Sequence, residues 1–223
     1  PGEATVSVST VTFTPADWNV AQTVTVTGED DVTVDGPQSS TITVAIDQSR
    51  TDAAFDALAN QIVSVTTTDD EVAGFTITES AGSTDVSESE TTDTFTVTLD
   101  GQPLSNVVLT VVSSDTGEAT VDTSTLTFTP ANWNTAQTVI VTGVSDSTVD
   151  GSKATSIVLA IDDANSSDLF DALDDQSVLA TTTDIDSARL TIEDVTELAG
   201  VGLVFSVVLD AAVEDGFSVD VTF

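Results

Sequence analysis

VTFTPADWNVAQTVTVTG, from Val11 to Gly28, returns as LTFTPANWNTAQTVIVTG from Leu126 to Gly143. Working outward from this pair, GEATV at Gly2–Val6 returns at Gly117–Val121, FDAL at Phe55–Leu58 at Phe170–Leu173, and TTTD at Thr66–Asp69 at Thr181–Asp184. Every pair is separated by the same 115 residues, with no gap, so the chain is built on an internal repeat. A third start is visible where FTIT at Phe75–Thr78 answers LTIE at Leu190–Glu193, and FTVTLD at Phe95–Asp100 answers FSVVLD at Phe205–Asp210. The expected division is therefore 1–71 as the closing part of a first copy, 72–186 as a complete copy and 187–223 as the opening part of a third. A half sandwich leaves its apolar face open, so the two partial copies are expected to be completed by residues outside this stretch.

Within each copy apolar and polar residues alternate with period two. Val24 and Val26 are interleaved with Thr23, Thr25 and Thr27, and Ile42, Val44 and Ile46 with Thr43 and Ala45. This pattern predicts antiparallel strands with one face buried and one in water. In the complete copy the inward set is Phe75, Phe95, Val97, Leu109, Phe128, Val139, Val141, Ile157 and Leu159. About seven strands per copy fit a two-sheet sandwich of immunoglobulin type, so the fold class is all-β, as tandem antiparallel Greek-key sandwiches. Pro130–Asn134 reads as a turn whose Trp133 covers the edge of the core. SSDLFDAL at Ser166–Leu173 reads as one or two helical turns, packing Leu169, Phe170 and Leu173 downward.

Charge narrows the partners. Arg50, Lys153 and Arg189 face 38 Asp and Glu, giving a net charge of −35. Such a surface repels nucleic-acid phosphates and anionic lipid, and its self-repulsion calls for cations or salt. There is no Cys and no His, which removes disulfides and the ligands preferred by zinc and related metals. No apolar run is long enough to cross a membrane.

The run FTPANWNTAQTVIVTG, then an acidic loop, a strand and TTTD, resembles the Calx-beta domain, a module common in giant bacterial surface adhesins, including those of gliding bacteria. The resemblance implies a calcium cluster at one end of each sandwich. Its ligands would come from the acidic loop (Asp30, Asp31 and Asp35 in the first copy, Asp146 and Asp150 in the second) and from the terminal run (Asp69, Asp70 and Glu71, then Asp184 and Asp186). An early Glu completes the family pattern, matched by Glu88 and, in the third copy, Glu197. The pattern is thinner in the second copy, where Ser145, Lys153 and Ile185 stand at expected acids, so calcium is expected at the first junction and more weakly or not at all at the second. Clustered carboxylates suit calcium, which takes six to eight oxygens. The alternative is that Asp35–Gly36 and Asp150–Gly151 only form turns.

Three functions compete. Duplication of one unit with short linkers favours a non-catalytic, extracellular, cell-surface stalk or adhesive filament stiffened by calcium. Its partners would be neighbouring repeats, with other copies in a fibre, an external surface or a glycan as further candidates. The alternative is a calcium-dependent glycan- or protein-binding module. A hydrolase using paired carboxylates is disfavoured: abundant Ser and Thr have no His or other basic partner, and three cations cannot furnish an oxyanion clamp at each copy.

Overall fold

The computed structural model describes residues 2–192, 205–214 and 216–222. The first copy contributes strands β1 (Ala4–Val6), β2 (Val26–Gly28), β3 (Thr33–Val34), β4 (Gln38–Val44) and β5 (Gln61–Thr67). The second contributes β6 (Phe75–Glu79), β7 (Thr84–Ser87), β8 (Thr92–Leu99), β9 (Gln102–Pro103), β10 (Val107–Ser113), β11 (Ala119–Val121) and β12 (Thr125–Phe128). It continues with β13 (Gln137–Gly143), β14 (Thr148–Val149), β15 (Lys153–Ile161) and β16 (Gln176–Thr183). The third contributes β17 (Leu190–Ile192), β18 (Val207–Leu209) and β19 (Ala212–Val213).

The second copy is an all-β sandwich. One sheet has the order β12-β10-β15-β16-β7 and the other β11-β13-β8-β6. Alternation sets which side chains meet between them. Along β8, Phe95, Val97 and Leu99 are buried while the interleaved threonines are half-buried, and along β13, Val139 and Val141 are buried. The register pairs Val139 with Phe95, so neighbouring strands deliver their large apolar groups to one layer. All nine inward residues expected from the sequence belong to this core, and Phe170 joins them with no exposed surface.

Two local expectations change. Ser166–Leu173 is not helical: consecutive turns close through Phe170 N–H to the Ser167 carbonyl (2.8 Å) and Leu173 N–H to the Phe170 carbonyl (3.1 Å). Phe170 is buried and Leu173 packs against the core, but Leu169 is exposed, because each turn directs only one apolar residue inward. The sandwich is also not antiparallel throughout, since β7 runs parallel to β16, with Thr84 beside Ala180 and Ser87 beside Thr183. The chain crosses from one sheet to the other between β6 and β7, through a turn where Gly82 has φ +84°. That crossing lays β7 along the last strand in the same direction and carries Glu88 to the terminal acidic run.

The first copy repeats the pairings it has residues for: β1 with β2 and β4 with β5. Among the described residues its apolar positions, Val34 apart, are open. Phe13 and Phe55 are 53 % and 51 % exposed, whereas their repeat partners Phe128 and Phe170 are fully buried. Trp18 is also exposed, but Trp133 packs against the core as expected.

Successive copies are joined in the same way twice. β3 pairs parallel with β9, and β14 pairs parallel with β19, each through two residues. At the first joint Gln102 N–H donates to the Val32 carbonyl (2.9 Å), the Thr33 hydroxyl donates to Gln102 Oε1 (3.3 Å), and Val34 is buried. A Cβ on Gly101 would stand 2.5 Å from Val34 Cγ2, so the approach of the two copies requires glycine there.

Candidate metal centre at the repeat joints

The loop after β2 (or β13) carries acids because it must turn sharply and bridge to the next copy. Asp31 Oδ1 accepts from Thr33 N–H (2.7 Å) and Asp146 Oδ1 from Thr148 N–H (2.6 Å), forming Asx turns that launch β3 and β14. Gly36 and Gly151 follow with φ +70° and +75°. Asp69 then reaches back: its Oδ2 accepts from Asp35 N–H (3.0 Å) and Gly36 N–H (2.6 Å), and its Oδ1 from Glu71 N–H (2.9 Å). Asp184 does the same for Asp150 N–H (3.0 Å), Gly151 N–H (2.6 Å) and Asp186 N–H (2.7 Å). The turn reading and the acidic-cluster reading thus describe one structure, because the Asp-Gly turns place further carboxylates beside the terminal run.

Among the described residues three groups of carboxylates have oxygens within 4.8 Å of one another: Asp30, Asp70 and Glu71 at the first joint, and Glu88, Asp184 and Asp186, and Glu118, Asp146 and Asp150, at the second. Asp31, Asp35 and Asp69 line the same concavity as the first group, together with Glu3 and Glu29. Glu118 is absent from the sequence-derived ligand set. Its signal was the identity of Glu3 and Glu118 in the repeated GEATV, an acid kept at the turn that immediately precedes β1 and β11. Its position follows from the backbone, since Val144 N–H donates to the Glu118 carbonyl (2.9 Å), just as Glu29 N–H donates to that of Glu3 (3.0 Å). Glu197 lies outside the described residues.

Both joints hold electrostatically strained glutamates: at the first, burial and then the neighbouring Asp69 and Asp70 raise the Glu71 pKa. Glu88 is 3 % exposed and accepts one bond, from Ile185 N–H (3.1 Å). That bond favours the carboxylate, but burial and the charges of Asp184, Asp146 and Asp186 outweigh it and raise the Glu88 pKa. Glu118 is raised by burial and then by Asp150, Asp115 and Asp146, with Lys153 opposing. Asp184 is lowered, first by the bond from Gly151 N–H and then by that from Asp186 N–H. Burial of Asp69 acts the other way, but the bonds from Gly36, Glu71 and Asp35 prevail and lower its pKa. Lys153, expected only to dilute the acids, donates to Glu214 of the third copy and lies 3.5 Å from Asp150 Oδ2.

The residues fit a hard divalent cation. Asp150 Oδ1 and Asp186 Oδ2 are buried and have no hydrogen-bond partner among the described residues, and Glu88 is buried with a single donor, Ile185 N–H. A cation contacting several such oxygens removes both the desolvation cost and the mutual repulsion. The donor set is oxygen throughout.

A stability profile follows in chelator. Raised glutamates bind protons more readily folded than unfolded, so stability rises as pH falls through their folded values towards the ordinary 4.5. Lowered aspartates stabilise above the ordinary 3.8 and lose that contribution as pH falls through their folded values. Thermal melts followed by circular dichroism should therefore show a maximum at about pH 4–5. A melting temperature that declines steadily from pH 7 downward would contradict the burial described for Glu88 and Glu118.

No protein-family model and no curated protein matches the chain. Solved structures similar to it include SSP-19, an MSP-domain protein like family member of Caenorhabditis elegans. It is 15 % identical over 48 % of this chain and 97 % of that one, with TM-score 0.33. Domains 1–6 of the surface layer protein SbsC are 17 % identical over 70 % of this chain and 18 % of that one, with TM-score 0.39. Domains 4–9 of SbsC are 18 % identical over 77 % and 21 %, with TM-score 0.37. Among the described residues no helix is long and apolar enough to cross a membrane.

Proposed function

We propose that this chain is a segment of an extracellular, cell-surface stalk, a non-catalytic spacer of tandem sandwiches whose joints are stiffened by calcium. The observation that carries this reading is the recurrence of one joint: β3 on β9 and β14 on β19, each beside an aspartate-held acidic loop. A unit whose contact with its successor is repeated serves extension along an axis. Calcium would be held by Glu88, Asp184 and Asp186 at the second joint and by Asp30, Asp70 and Glu71 at the first. Its chemistry there is charge neutralisation of a chain at −35.

Binding to the folded state alone raises stability by mass action. Melts of the chain in chelator and in millimolar calcium should differ by roughly 5–10 °C at saturation. Equal melting temperatures, with no calcium retained after dialysis, would leave the acidic loops as turns only. A gain with magnesium as large as with calcium would point to general screening of charge.

A further inference from the structure

We propose that Asp69 and Asp184 are the positioning residues of the repeat joints, each pinning the acidic loop so that its two-residue strand is presented to the next copy without help from a bound cation. The geometry is the same at two places separated by a full repeat. One carboxylate oxygen accepts from two successive N–H groups, of Asp35 and Gly36 or of Asp150 and Gly151, at 3.0 and 2.6 Å in both copies. The other oxygen accepts from the residue two ahead, Glu71 or Asp186.

These three donors fix the end of the last strand to the far side of the loop that carries β3 or β14. The loop is then held with Gly36 or Gly151 in the left-handed region and Thr33–Val34 or Thr148–Val149 extended against the following copy. At the first joint this seats Val34 against Gly101 and places the Val32 carbonyl to accept from Gln102. Two residues of sheet pairing make a small interface, and domains so joined move relative to one another by default. A charge-assisted clamp on the loop removes that freedom inside the copy that offers the strand. Thr68 and Thr183 directly precede the two clamps, are exposed, and have no side-chain hydrogen bond among the described residues, which makes them the proper controls. Because the clamp is complete without an ion, this inference stands apart from the calcium reading.

The test uses the whole chain, which has no native cysteine. Spin labels at Thr43→Cys and Ser105→Cys report the distance across the first joint, measured in chelator. Asp69→Asn retains size but replaces one accepting oxygen by a donor, and should make the distance distribution about twofold broader, while Thr68→Ala leaves it as in the parent. Gly101→Ala, acting from the other copy, should broaden it as well. The same comparison at the second joint, Asp184→Asn against Thr183→Ala with labels at Ser105→Cys and Ser206→Cys, guards against loss of fold in the first copy. Equal widths for the clamp and control variants at both joints overturn the proposal. So does broadening by Gly101→Ala alone, which would leave the bridge as the hold and the clamp as incidental. The calcium reading fails separately, through equal melting temperatures of the parent with and without the ion.

Discussion

Val139→Asp is expected to remove most of the stability of the central sandwich. Val139 lies at the middle of β13, has no exposed surface, and faces the layer formed with Phe95 of β8. A carboxylate there would meet only apolar neighbours. It would either stay charged without a partner or take up a proton, and in both cases the packing of a buried valine is lost as well. The expected cost is about 4–5 kcal/mol, which is a large share of what a domain of this size has. The proper comparison is Thr138→Asp, one residue earlier on the exposed face, where the cost should stay below about 1 kcal/mol. Urea titration of both variants reads the difference directly. A Val139→Asp midpoint close to that of Thr138→Asp would mean that β13 has its faces exchanged.

The second large effect is expected at Gly143. A Cβ on this residue would drive into the Ser87 carbonyl oxygen and lie 2.8 Å from the Ser87 carbonyl carbon. These are backbone atoms of the last residue of β7, so relief requires moving a strand. Gly143→Ala should cost roughly 3 kcal/mol by overpacking. It should also displace Glu88, the next residue along, and so weaken the calcium binding proposed for the Glu88, Asp184 and Asp186 group. Gly28 occupies the same place in the first copy, but its Cβ would meet only the Thr67 methyl at 3.1 Å. Gly28→Ala is accordingly expected to be the milder change, at about 1 kcal/mol or less. A melting curve and a calcium titration for each variant check both halves of this expectation. Equal stability losses at the two glycines would show that Ser87 does not lie against β13 as described.

Much of the architecture was legible in the order of residues. The match of Val11–Gly28 with Leu126–Gly143 establishes the repeat, and the period-two alternation in stretches such as Phe95–Leu99 identifies the inward set without knowledge of any partner strand. Both are local properties: in an extended chain successive side chains point to opposite faces, and burial of the apolar set follows. The same locality explains what was misread. Ser166–Leu173 has the spacing of a helical turn, but a segment this short takes its conformation from what it packs on, and here Phe170 is drawn into the core while Leu169 is left outside.

The roles of the acids were decided only by the tertiary structure. Asp69, Asp70 and Glu71 are indistinguishable as a run of charge, yet Asp69 holds three backbone N–H groups while Asp70 and Glu71 face Asp30. Glu88 meets Ile185 across 97 residues of chain because β7 crosses sheets and lies parallel to β16, an edge pairing that alternation does not encode. Lys153, which thins the acidic pattern in sequence, instead reaches Glu214 in the following copy. The physical reason is common to all three. A strand's inward face is specified by its own residues, but a carboxylate's function depends on which donors, charges or cations lie within about 3 Å of its oxygens, and those are brought there by sheet topology and by the joint between copies.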